Sequence, residues 1–60
     1  MTDLLRKKLE ALSIRLRDEQ RALLVAAAEA DGMPSNSTLL RVSQLELNIA
    51  AIENTLADAV

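Results

Sequence analysis

The chain has 60 residues and a net charge of −2 from seven Lys/Arg and nine Asp/Glu, and half of its residues are hydrophobic. This hydrophobic share argues against a disordered chain, and the near balance of charges argues against a globally basic nucleic-acid-binding protein. Cys and His are absent, which excludes disulfides and the usual ligands of structural zinc. Because so short a chain has a marginal core, oligomerisation is the stabilising route that remains.

No segment predicts membrane insertion or secretion. The longest apolar run, residues 22–28, is far shorter than the ~20 residues that cross a bilayer. The leucines at positions 4 and 5 precede the basic run Arg6–Lys8, which is the reverse of the order in a signal peptide. We therefore expect a cytoplasmic protein that does not enter a membrane.

Helix formers dominate the chain on both sides of one short segment that contains its single Gly and single Pro. The sequence predicts one domain over residues 1–60, with helix 1 over about 3–30, a turn over 31–35 and helix 2 over about 36–59. Thr2 is the predicted N-cap of helix 1, and Ser35 is the favoured N-cap of helix 2. Gly32 suits the left-handed position that ends helix 1, and Pro34 separates the helices.

Apolar residues recur in both helices with alternating spacings of four and three, which is typical of a coiled-coil seam. In helix 2 the seam is Thr38, Val42, Leu45, Ile49, Ile52, Leu56 and Ala59. In helix 1 it is Leu5, Leu9, Leu12, Leu16, Glu19, Leu23, Ala26 and Ala30. The seams match when the helices fold back on each other. The predicted fold is therefore all-α, an antiparallel, coiled-coil-like two-helix hairpin.

Further apolar residues lie outside the seam, and they indicate an oligomer or partner interface. The candidates are Leu5, which overhangs the end of helix 2, together with Ile14, Val25, Leu40, Leu47 and Ala51. Isolated apolar side chains are common on protein surfaces and need no partner. Two lone helices are a weak fold, however, so we expect two hairpins to dimerise into a four-helix bundle. A binding groove for a helix of another protein is the competing interpretation.

Glu19 occupies a seam position where an apolar residue is expected. In one interpretation the helix rotates slightly, so that Glu19 reaches solvent and Gln20 borders the core. In the other, Glu19 is a specificity layer that pairs with Arg15 or with a second subunit. The first interpretation is favoured.

Catalysis is not expected, and no catalytic, cofactor-binding or metal-binding residue is assigned. The chain has no His, Cys or Tyr to act as acid, base or nucleophile near neutral pH. Its single Gly cannot form a phosphate-binding loop. Adjacent carboxylates such as Asp18 and Glu19 are better explained as a solvated helix face than as a cation site.

In length and predicted topology the chain resembles the plasmid copy-number regulators of the Rop type, which are helical hairpins that dimerise into four-helix bundles and bind RNA. The resemblance carries over no residue role. Independently, Arg6, Arg17 and Arg21 share one face of helix 1, where they would suit a phosphate backbone. The leading function is a non-enzymatic interaction or scaffolding protein that dimerises and binds another protein through a helix. The alternative is a Rop-like regulator that binds RNA or DNA through these arginines.

Overall fold

The computed structural model describes residues 1–58 and contains two helices, α1 (Asp3–Glu29) and α2 (Asn36–Asp58). The helices pack against each other as a hairpin, and the Cα atoms form a rod of 44 × 14 × 13 Å. The predicted all-α hairpin is therefore confirmed. In residues 1–58 neither helix is long and apolar enough to cross a membrane.

Each helix follows the hydroxyl-bearing residue that the sequence predicts as its N-cap. The Thr2 side chain accepts a hydrogen bond from the Leu5 backbone N–H at 3.1 Å. The Ser35 hydroxyl accepts one from the Thr38 N–H at 3.2 Å. Each cap satisfies a backbone donor that has no partner within the helix, which confirms Thr2 and Ser35 as the N-caps.

The end of α1 corrects the prediction for Gly32. Asp31 takes the left-handed backbone conformation, with φ of 58°, and Gly32 has a negative φ. The Ala30 N–H still bonds to the Ala26 carbonyl at 3.2 Å, so the reversal of the chain falls on the next residue. Aspartate tolerates this conformation better than most residues because its short polar side chain can bond locally. The left-handed position therefore precedes the glycine by one residue.

The inner face of α2 is the predicted seam. Leu45 and Ile49 are buried, and they are the only described residues in that class. The other described members of the seam, Thr38, Val42, Ile52 and Leu56, are partly buried. Ala59, the last predicted member, lies outside the described residues. The spacing in α2 was therefore sufficient to identify its packing face.

The inner face of α1 differs from the predicted seam by a rotation. Leu9, Leu16 and Leu23 are partly buried as predicted, but the residues between them are not the predicted ones. The partly buried set continues through Ser13, Gln20 and Ala27, whereas Leu12, Glu19, Ala26, Leu5 and Ala30 are exposed. This rotation keeps the Glu19 carboxylate in water. Burying that carboxylate between the helices would cost several kcal/mol.

The polar residues that the rotation brings inward have hydrogen-bond partners. The Ser13 hydroxyl donates to the Glu10 carbonyl oxygen at 2.8 Å. The Gln20 amide donates to a Glu46 carboxylate oxygen at 2.8 Å. Their presence at the helix–helix contact therefore leaves neither donor without a partner.

Candidate interaction surfaces

The apolar residues predicted to form an interface lie mainly on two opposite edges of the hairpin. At about 100° per residue, Ile14 and Val25 lie about 160–180° around α1 from the inward-facing Leu16. Leu40 and Leu47 lie about 140–160° around α2 from Leu45. We call these outward faces the α1 edge and the α2 edge. One flat contact cannot cover both edges, because the hairpin separates them.

The α1 edge combines large apolar side chains with charges. Ile14 is 59% exposed and Val25 is 48% exposed. Asp18 and Arg21 lie between them and form an ion pair at 3.9 Å whose side chains are 66% and 75% exposed, respectively. This pair is loose and solvated, and such pairs contribute little to stability.

The α2 edge carries Leu40, Leu47 and Ala51, which are all exposed. Leu47 is 71% exposed and Leu40 is 60% exposed. Ala51 also accepts a hydrogen bond through its carbonyl oxygen from the Thr55 hydroxyl at 2.9 Å. The edge therefore presents leucine side chains with little ionic character near them.

Polar side chains elsewhere on α2 bond back to their own helix. The Ser43 hydroxyl donates to the Leu39 carbonyl at 3.1 Å, and the Asn48 amide donates to the Gln44 carbonyl at 2.8 Å. Donors that already have a partner cost less to remove from water. The outer surface of α2 is therefore easier to cover with another helix than its Ser, Asn and Thr content indicates.

Leu5 is not on either edge. It lies about 20° around α1 from Leu16, on the inner side of the helix, and it is half-exposed near the open end of the hairpin. The structure therefore does not bring Leu5 together with Ile14 and Val25. Any contact through Leu5 would be made at the end of the rod.

Glu19 pairs across the hairpin with Arg41. The Arg41 Nε lies 2.6 Å from a Glu19 carboxylate oxygen, and both side chains are about half-exposed. The hydrogen bond from Arg41 lowers the pKa of Glu19, and desolvation opposes this effect. The favoured interpretation of a rotated helix agrees with this geometry. The predicted pairing of Glu19 with Arg15 is not seen, since its cation comes from the other helix.

The broad face on the other side of the hairpin holds Arg17, one of the three arginines proposed to bind phosphate. Arg17 forms an ion pair with Glu53, and hydrogen bonding to Glu53 raises the pKa of Arg17. Arg21 lies beside Asp18, and Arg6 also has an interaction partner. A phosphate at Arg17 would have to compete with a carboxylate that is already in place.

Sequence reasoning missed the residues that join the two helices at their margins. Arg41, Glu46 and Glu53 received no role there, yet each bonds to α1. Their positions beside the α2 seam were a usable signal, because residues that flank a coiled-coil seam commonly form interhelical ion pairs. Their partners depended on the rotation of α1, which the spacing did not specify.

Within residues 1–58 there is no pocket and no group of three or more carboxylates that could hold a metal ion. The chain matches no protein-family model, no curated protein and no solved structure.

Proposed function

We propose that this chain is a small, non-enzymatic interaction module that acts as a homodimer, in which two hairpins form a four-helix assembly. The observation that supports this proposal is the contrast between a very small buried core and a surface with many exposed apolar side chains. Leu45 and Ile49 are the only buried residues among those described, whereas Ile14, Val25 and Leu47 are about half-exposed or more. A folded chain of this length is only marginally stable. A second copy would cover part of this apolar surface and so stabilise the fold.

Binding of a second protein through a helix is the other part of the proposal. Two edges on opposite sides of the hairpin allow one edge to serve the homodimer and leave the other available. The leucines of the α2 edge suit the apolar face of a partner helix. The cytoplasmic location expected from the sequence belongs to the same proposal.

Sedimentation equilibrium tests the homodimer. Interference optics are used because the chain has no Trp, Tyr or Phe to absorb in the near ultraviolet. We expect the average mass to rise from one chain to two as concentration increases from about 1 μM to about 1 mM. The thermal midpoint should rise over the same range, because dimerisation stabilises the folded state by mass action. A well-folded monomer throughout would contradict the proposal.

A salt titration separates this function from the Rop-like alternative. Binding to generic RNA or DNA through phosphate contacts weakens steeply as salt increases. We expect no binding even at low salt, since acidic side chains lie beside Arg17 and Arg21. Salt-sensitive binding that is lost on Arg17→Gln would favour the alternative.

A further inference from the structure

The charges on the α1 edge alternate in sign along the helix. Asp3, Lys7, Asp18, Arg21 and Glu29 all lie within about 80° of one another around α1, and their charges alternate from negative at Asp3 to negative at Glu29. When a second α1 runs in the opposite direction about a midpoint between residues 19 and 20, Asp18 and Arg21 are complementary, and Asp3 lies beyond the end of the partner's α1. The α2 edge has no such pattern.

We propose that the α1 edge is the homodimer contact and that it binds the α1 edge of a second copy in antiparallel orientation. The two-fold axis passes between Glu19 and Gln20. Asp18 then faces Arg21 of the partner subunit, and Ile14 faces Val25 of the partner subunit. Both contacts occur twice by symmetry. The inference rests on the homodimer proposed above and specifies its surface and orientation.

Charge decides the orientation of this contact. In a parallel pair in register, Asp18 would face its own symmetry copy, and so would Arg21, and like charges at an interface are unfavourable. The antiparallel pair replaces both repulsions with attractions. Near the two ends, Lys7 comes within about one helical turn of Glu29 of the partner subunit, and Glu10 lies level with that Glu29, so the central contacts of Asp18 and Arg21 decide the orientation.

The side chains around this contact allow close approach. Ala11, Ala22 and Ala28 flank the large apolar pair, and small residues let helices pack closely. From Ala11 to Ala28 the contact is about 25 Å long at 1.5 Å per residue. One helix pair of this length buries less than the roughly 1,200–2,000 Å² of a standard interface, so we expect weak association.

The Asp18–Arg21 pair within one chain does not prevent this exchange. Its 3.9 Å separation and high exposure leave both side chains hydrated and able to turn toward a partner. The dimer therefore gains two intermolecular pairs and gives up two intramolecular contacts, one in each chain, that contribute little. Because both residues are exposed, substituting them should leave the hairpin folded.

The test uses two charge-reversal variants, Asp18→Arg and Arg21→Asp, each first studied alone. The first presents only basic groups at the centre of the contact, and the second presents only acidic groups. We expect each to dimerise about tenfold or more weakly than the unaltered chain, because like charges then face each other twice. An equimolar mixture should restore association to within about threefold of the unaltered chain, as a heterodimer. Mixing cannot restore an ion pair within one chain, so recovery reports the intermolecular contact.

Asp58→Arg is the matched control. It makes the same charge change on the outer side of α2, and it should leave dimerisation unchanged. Mixed with Arg21→Asp, it gives the same net charges as the test mixture but only one complementary pair at the α1 edge, so the two variants should form a heterodimer about tenfold or more weakly than the test mixture does. Circular dichroism checks that every variant remains helical.

The outcomes separate the two proposals. If the unaltered chain dimerises and the charge reversals have no effect, or if the test mixture fails to recover, the α1 contact is overturned while the homodimer stands. A heterodimer in the control mixture as strong as that in the test mixture also overturns it, since net charge alone would then explain the effect. If the unaltered chain stays monomeric up to about 1 mM, both proposals fail.

Discussion

In the turn after α1, the two adjacent residues Asp31 and Gly32 differ in backbone conformation. The left-handed angle falls on Asp31, and a Cβ atom added to Gly32 would meet only the Ala30 carbonyl oxygen, at 3.9 Å. Gly32→Ala should therefore raise the free energy of unfolding by about 0.4–1 kcal/mol, by reducing the entropy of the unfolded chain. Urea denaturation followed by circular dichroism measures this change.

The matched variant at this turn is Asp31→Gly. It removes the steric cost of the left-handed conformation but adds backbone entropy to the unfolded chain, so we expect a gain of less than about 1 kcal/mol. A loss of about 1 kcal/mol or more on Gly32→Ala would show instead that Gly32 needs a positive φ.

Glu19 gives a prediction about pH. Its folded-state pKa lies below the usual value because Arg41 donates a hydrogen bond to its carboxylate. The contribution of the Glu19–Arg41 ion pair to stability is therefore complete above the unfolded-state pKa of Glu19, about 4.3. It is lost as pH falls through the lower folded-state pKa. Arg41→Gln should move the pKa of Glu19 upward, which an NMR titration of the side-chain carboxyl carbon measures. An unchanged pKa would contradict the ion pair, and Arg15→Gln serves as the control.

At the scale of the element, the rotation of α1 determines which polar residue borders the core. Gln20 is partly buried and its amide approaches the Val42 carbonyl at 3.5 Å, whereas Glu19 is exposed. Gln20→Leu should raise the free energy of unfolding by about 1 kcal/mol through added apolar burial. Glu19→Leu should change it by less, because that side chain remains about half in water.

Urea denaturation of both variants at several protein concentrations measures this difference and keeps any change in association separate. A larger gain in the free energy of unfolding for Glu19→Leu would indicate that position 19 faces α2, which would contradict the rotated helix. The comparison is matched, since adjacent residues on one helix receive the same new side chain.

At the scale of the whole molecule, stability depends on very few side chains. Leu45→Ala should cost about 2–5 kcal/mol, because it opens a cavity at a fully buried position. Leu47→Ala removes the same atoms from a side chain that is 71% exposed, and it should change monomer stability by less than about 0.5 kcal/mol. Thermal melts at low concentration measure both, and equal losses would contradict the assigned core.

Most of the fold followed from local chemistry in the sequence. Thr2 and Ser35 cap the helices because hydroxyl groups at those positions satisfy free backbone donors. The packing face of α2 follows from its spacing, because every described member of that seam is apolar except Thr38. Thr38 is small, and its hydroxyl oxygen accepts a hydrogen bond from the Ser35 hydroxyl. These features need only neighbours a few residues away.

The tertiary structure decided what depends on the other helix. The seam of α1 contained one ambiguous layer, and spacing alone could not choose between Glu19 and Gln20. The choice was made by α2, where Arg41 offers a charge at the margin and Glu46 accepts from the Gln20 amide. The rotation avoids the cost of burying an ion, and it decided which residues of α1 face α2. The sequence by itself therefore determined two capped helices and their reversal, while the packed pair decided which surfaces remain for a partner.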